Sequence, residues 1–176
     1  MSPQILLTSF NTWRSGQKSN SSDDLVRKFG WKRSQDNIHL LRRIPVSFRS
    51  APEQVIDRIE QIQPDIIVNC GMAESRQFLT IESRARRGRA VIKTKVDLNS
   101  LVTNLPLTRI SHDAGRFVCN SLYYSVLDYV DRHALEIPSI FVHVPILTKQ
   151  NSVQIVSDFR SIITRIQALA LAKDHV

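Results

Sequence analysis

Three short apolar runs constrain the fold of this 176-residue chain more than any other feature. Residues 4–10 (QILLTSF), 65–70 (DIIVNC) and 139–144 (SIFVHV) are too short for helices and too continuously apolar for half-exposed strands. Each predicts a buried strand. Helical segments separate them. Ser21 or Ser22, followed by Asp23 and Asp24, supplies an N-cap and an acidic first turn for a short helix over residues 23–29. Residues 37–48 contain His39-Leu40-Leu41 and Ile44-Pro45-Val46, a second strand whose proline suits an edge or a strand end. Pro52 fits the first turn of a helix with Val55, Ile56, Ile59 and Ile62 on its apolar face, and Pro64 ends that helix. The alternation predicts an α/β protein: a three-layer α/β/α sandwich with a mostly parallel central sheet, in one domain spanning 1–176.

The longest helical pattern lies in the second half. Residues 114–134 lack proline, and Val118, Leu122, Val126, Tyr129 and Val130 repeat with the helical period. The helix is expected to begin close to Gly115, with Cys119 within about its first turn. Unpaired N–H groups and the positive end of the helix dipole would stabilise a thiolate there. A small buried cysteine is the alternative. A last helix is capped by Asn151 or Ser152 and buries Val156, Phe159, Ile163, Ile166 and Ala170. In residues 90–97 apolar and polar positions alternate, predicting a half-exposed strand, and residues 98–109 read as irregular.

Open α/β sheets gather reactive groups at the carboxyl ends of strands and at helix starts. Cys119 is at a helix start, His143 is near the end of an apolar strand, and Glu82 follows the loop after Gly71. A nucleophilic thiol, a base and an acceptor that orients the base are the three roles such residues can fill. Spacing alone does not bring them together. Two cysteines, Cys70 and Cys119, are too few for a disulfide framework or a thiolate zinc site. The chain has no run of about 18 apolar residues and no signal-like N-terminus, so a cytoplasmic protein without a membrane partner is expected.

The blocks around these residues resemble the pyroglutamyl peptidase (pyrrolidone-carboxylate peptidase) family over most of the chain. Ile5-Leu6-Leu7-Thr8-Ser9-Phe10 is similar to the family's opening strand and Thr-Gly-Phe. Asn20-Ser21-Ser22 resembles its Asn-Pro-Ser, and Ile44-Pro45-Val46 its Leu-Pro-Val. Residues 64–67 with Gly71, Ala73 and Arg76 follow its Pro-Asp…Gly-Gln-Ala-Gly-Gly-Arg block. Glu82 and Ala85 match Glu-Arg-Val-Ala. Ser111, Ala114-Gly115 and Phe117-Val118-Cys119-Asn120 match Ser-Ala-Gly-Thr-Phe-Val-Cys-Asn, and Phe141-Val142-His143-Val144-Pro145 matches Phe-Ile-His-Val-Pro. The resemblance implies a cofactor-free, metal-free cysteine exopeptidase whose partner is a peptide with an N-terminal pyroglutamyl residue. It implies Cys119 as nucleophile, His143 as proton shuttle and Glu82 as the group orienting the imidazole. The N–H of Cys119 would hold the oxyanion, Phe10 and Trp13 would sandwich the lactam ring, and Asn20 and Met72 would complete the pocket. A homo-oligomer is compatible with it.

The chain also departs from the family pattern. Ser9 replaces a glycine, Asn11-Thr12-Trp13 replaces Glu-Pro-Phe, and Met72 replaces a glutamine. The arginine ten residues beyond the family's glutamate is absent, leaving Lys93 as its candidate substitute at the oxyanion. The stretch from Glu82 to Cys119 is shortened. Slow turnover or altered specificity is therefore expected. The net charge of +8 and the run Arg84-Ala85-Arg86-Arg87-Gly88-Arg89 raise an alternative, a non-catalytic homologue that binds through its basic face. A solvated face is the ordinary reading of such a run, and without interleaved aromatics nucleic acid is a poor fit.

Overall fold

A computed structural model describes residues 2–30 and 37–173, among which lie eight strands and five helices. In chain order these are β1 (Ile5–Phe10), α1 (Ser21–Gly30), β2 (Ile38–Ile44), α2 (Ser50–Ile62), β3 (Ile66–Met72), β4 (Leu79–Glu82), β5 (Arg84–Arg87), β6 (Ala90–Lys93), α3 (Leu98–Val102), β7 (Thr108–Ser111), α4 (Val118–Arg132), β8 (Ser139–Val144) and α5 (Ser152–Lys173). A six-stranded sheet runs β2-β1-β3-β8-β4-β7, parallel throughout except where β4 meets β8. The three apolar runs become β1, β3 and β8, adjacent and buried almost throughout, as strands covered on both faces must be.

Helices cover both faces, so the three-layer sandwich expected from the sequence is the observed fold. Leu25 and Val26 of α1, Leu98 and Leu101 of α3 and Ile155, Phe159, Ile162 and Ile166 of α5 pack on one face. Val55 and Ile59 of α2 and Val118, Leu122 and Val126 of α4 pack on the other. The second strand is an edge, since β2 pairs with β1 alone, and it ends at Ile44, before Pro45.

Several boundaries differ from the sequence expectation. Asn20, rather than Ser21 or Ser22, caps α1: its Oδ1 accepts from the Ser22 N–H at 3.0 Å and from the Ser22 hydroxyl at 2.7 Å. Helix α4 starts at Val118, because Gly115 turns the chain with φ +79° and Phe117 is extended. Strand β6 stops at Lys93, where the chain leaves the hairpin and Thr94 bonds to the carbonyls of Ser83 and Ser139. The stretch expected to be irregular holds α3, capped by Asp97, and β7. Strand β5 carries no period-2 apolar signal, and β4, where Leu79 and Ile81 alternate with Thr80 and Glu82, is too short for its alternation to single it out. Neighbouring strands, not local pattern, give them their shape.

Candidate active site

The carboxyl ends of β3 and β8, the end of β4 and the start of α4 meet on the face of the sheet covered by α2 and α4. Gly71 of β3 lies opposite His143 of β8, and Thr80 of β4 lies opposite His143 on its other side. Directly paired residues share a face, and strand residues two apart share it too. Gly71, His143, Thr80 and Glu82 therefore all face α4. Cys119, second residue of α4, brings its sulfur over Gly71. A Cβ there would lie 2.6 Å from Cys119 Sγ and 2.9 Å from the Phe141 ring. Gly71 is thus needed for close approach, a requirement that the sequence pattern did not disclose.

His143 and Glu82 are both almost completely buried. Nδ1 of His143 is 2.7 Å from Glu82 Oε1. The same oxygen accepts from Arg76 Nη1 at 2.5 Å, and Arg76 also bonds to Thr80 and, through Nη2, to the carbonyl of Asp113 at 2.8 Å. Burial pushes the Glu82 carboxyl up, but the hydrogen bond and charge of His143, with Arg76 nearby, hold it below the ordinary carboxylate value. A carboxylate can only accept, so Nδ1 carries the proton and Nε2 keeps its lone pair. Burial outweighs Glu82 at His143 and lowers its pKa, so the ring is neutral at pH 7. The Tyr123 hydroxyl donates to the Glu82 carbonyl at 3.0 Å, and its ring lies 5.6 Å from that of Phe141.

The thiol departs from the sequence expectation. Desolvation pushes Cys119 up to about 12, with the Glu82 charge adding to it. The N–H at the helix start and the positive charge of Arg76 oppose that rise without cancelling it. Both shifts favour the uncharged forms, a thiol and a neutral imidazole.

Of the other residues singled out in the sequence, Phe10 ends β1 and is only 2 % exposed, packed in the core with Leu6, Ile44 and Val55. Trp13 is half-buried, and its ring neighbour is Phe117, at 6.4 Å between centroids, rather than Phe10. The rings of Phe10 and Trp13 are not in direct contact, and Phe10 sits inside the apolar layer under α2. Asn20 donates its amide to the Asn11 carbonyl at 2.9 Å and holds the loop after β1 to α1. The Met72 sulfur accepts from the Ser21 N–H at 3.3 Å. Lys93 is corrected most. It is exposed on β6, opposite Arg84, and borders an apolar groove with Leu127 and Val130 in the second half of α4. It makes no hydrogen bond or ion pair to Cys119, His143 or Glu82. Arg76 is the cation that adjoins the trio; the sequence displayed it only as the last residue of a motif.

A thiol at a helix start, over a glycine whose strand partner is a carboxylate-bound histidine, is the constellation of a cysteine hydrolase on an α/β scaffold. Among the described residues no cluster of His, Cys, Asp or Glu could hold a metal ion, and no helix is long and apolar enough to cross a membrane. The profile of the pyroglutamyl peptidase family matches residues 3–91 and 98–173, and the chain belongs to that family of cysteine peptidases. Among similar proteins, pyrrolidone-carboxylate peptidase of Thermoanaerobacter sp. (strain X514) is 29 % identical, the match covering 84 % of each chain. That of Bacillus subtilis (strain 168) is 26 % identical over 98 % of this chain and 91 % of its own. The crystal structure of pyroglutamyl peptidase I from Bacillus amyloliquefaciens superposes with a TM-score of 0.80 at 22 % identity, covering 96 % of this chain and 95 % of that one.

Proposed function

We propose that the protein is a cysteine exopeptidase that removes pyroglutamate from the N-terminus of peptides, through Cys119, His143 and Glu82. The observation that carries this reading is the buried chain from Arg76 to Glu82 to His143 beside a sulfur seated over Gly71. In the acylation step Cys119 Sγ attacks the carbonyl carbon of the pyroglutamyl residue while His143 Nε2 takes the thiol proton. The resulting imidazolium is stabilised by Glu82 through Nδ1–H. The oxyanion is held by the free N–H of Cys119 at the helix start. Collapse of the tetrahedral species breaks the C–N bond, and His143 returns its proton to the departing amine. Water then attacks the thioester with His143 again as base, releasing pyroglutamate and restoring the thiol.

The acyl pocket in this reading lies toward β1, walled by Trp13 and Phe117, with Phe10 beneath, Met72 turned to α1 at the end of β3, and Asn20 fixing the loop. Phe10 gives the ring a floor instead of a stacking partner. Lys93, the candidate substitute for the family's arginine, stands exposed on β6 and has no bond to Cys119, His143 or Glu82. Both features favour slow turnover and a relaxed acyl preference, because loss of one oxyanion donor costs ~10²–10³ in turnover. Two unpaired cysteines, Cys70 and Cys119, suit a reducing, cytoplasmic setting. The test is kcat/KM on pyroglutamyl, prolyl and alanyl amides compared side by side. Detectable release that favours pyroglutamyl and disappears in Cys119→Ala is expected; turnover that survives that substitution sinks the assignment.

A further inference from the structure

Immediately after Glu82 the chain forms a two-stranded hairpin, β5–β6, that lies outside the main sheet and packs across α4. Gly88, with φ +59°, opens its two-residue turn, as the tightest hairpins require. Its inner face is apolar: Ala85 is fully buried against α4, with Ile92 paired to it. The hairpin is tied down by Asn120, which accepts from the Arg86 N–H at 2.9 Å and donates to the Arg86 carbonyl at 2.8 Å.

The outer face is a different surface. Arg84 lies directly opposite Lys93, and Arg86 directly opposite Val91, so three cations share one side with no acid on either strand. Like charges directly opposite each other destabilise a strand pair. Arg87 is occupied, its guanidinium 4.3 Å from the Tyr124 ring centre and bonded to Ser125. Arg84 is half-buried and bonds to the His112 carbonyl at 2.7 Å, which leaves its charge unneutralised. Arg86, Arg89 and Lys93 are exposed, and their side chains have no hydrogen bond or ion pair among the described residues. The family profile breaks off at residue 91 and resumes at 98, so the end of β6 belongs to this chain's own pattern.

The chemistry of the site gives this face a direction. His143 must protonate the departing amine, so the peptide beyond the scissile bond leaves on the side of His143 and Glu82. The acyl pocket lies on the opposite side, toward β1 in the sheet order β1-β3-β8-β4. The departing peptide is therefore carried toward the hairpin. Arg86 is four residues beyond Glu82, at most ~14 Å along the chain, and four residues of extended peptide span about the same length.

We propose that the outer face of β5–β6, with Arg84, Arg86 and Lys93 on its strands and Arg89 at its turn, binds acidic side chains of the substrate beyond the scissile bond. The preferred substrates are then pyroglutamyl peptides bearing Asp or Glu at the second to fourth positions after that bond. This inference rests on the hydrolase reading above for its direction, and its test separates the two. Two peptide series, pyroglutamyl-Ala followed by three Glu or by three Lys, are compared in wild type, in Arg86→Glu/Arg89→Glu/Lys93→Glu, and in Arg160→Glu, an exposed charge reversal on α5. Wild type is expected to favour the Glu series ~10-fold in kcat/KM at low ionic strength, less at high salt, and the triple variant to favour Lys. Arg160→Glu should keep the wild-type ratio. Binding of both series to Cys119→Ala, read by fluorescence anisotropy, tests the face without turnover. Acid-selective binding there supports it even if no pyroglutamyl bond is cut, an outcome that would refute the hydrolase reading alone. Equal affinity for the two series, a preference that survives the triple reversal, or tighter binding of a single-stranded oligonucleotide than of the Glu peptide would overturn the proposal.

Discussion

Glu82 and Arg86 are four residues apart, yet they live under opposite rules. Glu82 is fully buried, and one of its oxygens serves both His143 and Arg76. The Arg86 side chain stands in water with no partner among the described residues. A buried charge costs several kcal/mol unless it is paired, so the inner region is fixed by the pairing of Glu82 Oε1 with His143 and Arg76. An exposed charge carries almost no such cost, so the hairpin tolerates like charges face to face. The lesson is that geometry is tightly specified where burial forces partnership, and free to follow the ligand where it does not.

The contrast is tested most severely at the sulfur. Cys119→Ala should lower turnover by at least ~10³-fold, because nothing else in the site can form the acyl bond. Cys70→Ala, at a fully buried position on the opposite face of β3, should cost only ~1 kcal/mol of stability and retain most of the activity. Equal loss from both, with folding intact, would mean that burial rather than chemistry separates them.

Next in size are the groups that orient the site. Glu82→Gln leaves the shape but removes the charge that fixes the imidazole tautomer, and should cost up to ~10⁴-fold in kcat. Gly71→Ala would displace the sulfur or Phe141, and a shift of about 1 Å is worth ~100-fold. A Gly71→Ala enzyme with wild-type kcat would show that Cys119 has room which the backbone geometry denies it.

Titration gives a third test. With the thiol held near 12, alkylation of Cys119 by iodoacetamide should keep rising ~10-fold per pH unit through pH 9, as the thiolate fraction does. A plateau below pH 8 would reveal a preformed ion pair. The His143 pKa is lowered from 6.5 and that of Glu82 from 4.5. A depressed native pKa means that the unfolded chain binds the proton first. Stability from the neutral imidazole is thus present above 6.5 and is lost as pH falls toward its lower native value. The Glu82 contribution is present above 4.5 and is lost as pH falls through its own depressed value. Melting temperature should decline as pH falls below 6.5, and His143→Gln should weaken that decline.

The smallest effect belongs to the hairpin and has the opposite sign. Lys93→Glu turns a like-charged cross-strand pair with Arg84 into an attractive one, and should stabilise the fold by roughly 0.2–1 kcal/mol, or about 1–4 °C. A loss of stability would show that the register assigned to β5–β6 is wrong.

The central strands were legible because burial on both faces demands uninterrupted apolar runs, which is why β1, β3 and β8 stand out. Helix α4 was legible from its stripe, and Cys119, His143 and Glu82 could be named from the blocks around them. Strand β4, carrying Glu82, alternates apolar and polar over only four residues, too few to single it out. Its four residues are strand only because β8 and β7 flank them, an antiparallel neighbour on one side and a parallel one on the other.

By itself the sequence determined the central strands β1, β3 and β8, the main helices, the layers they form and the residue types available for chemistry, because these follow from local period and capping. Tertiary structure decided the rest. It placed Glu82 on the face of His143, put Arg76 rather than Lys93 beside them, buried Phe10 and raised the thiol instead of lowering it. Each of those outcomes depends on which distant groups share a desolvated space, and desolvation is a property of the packed molecule rather than of any segment of it.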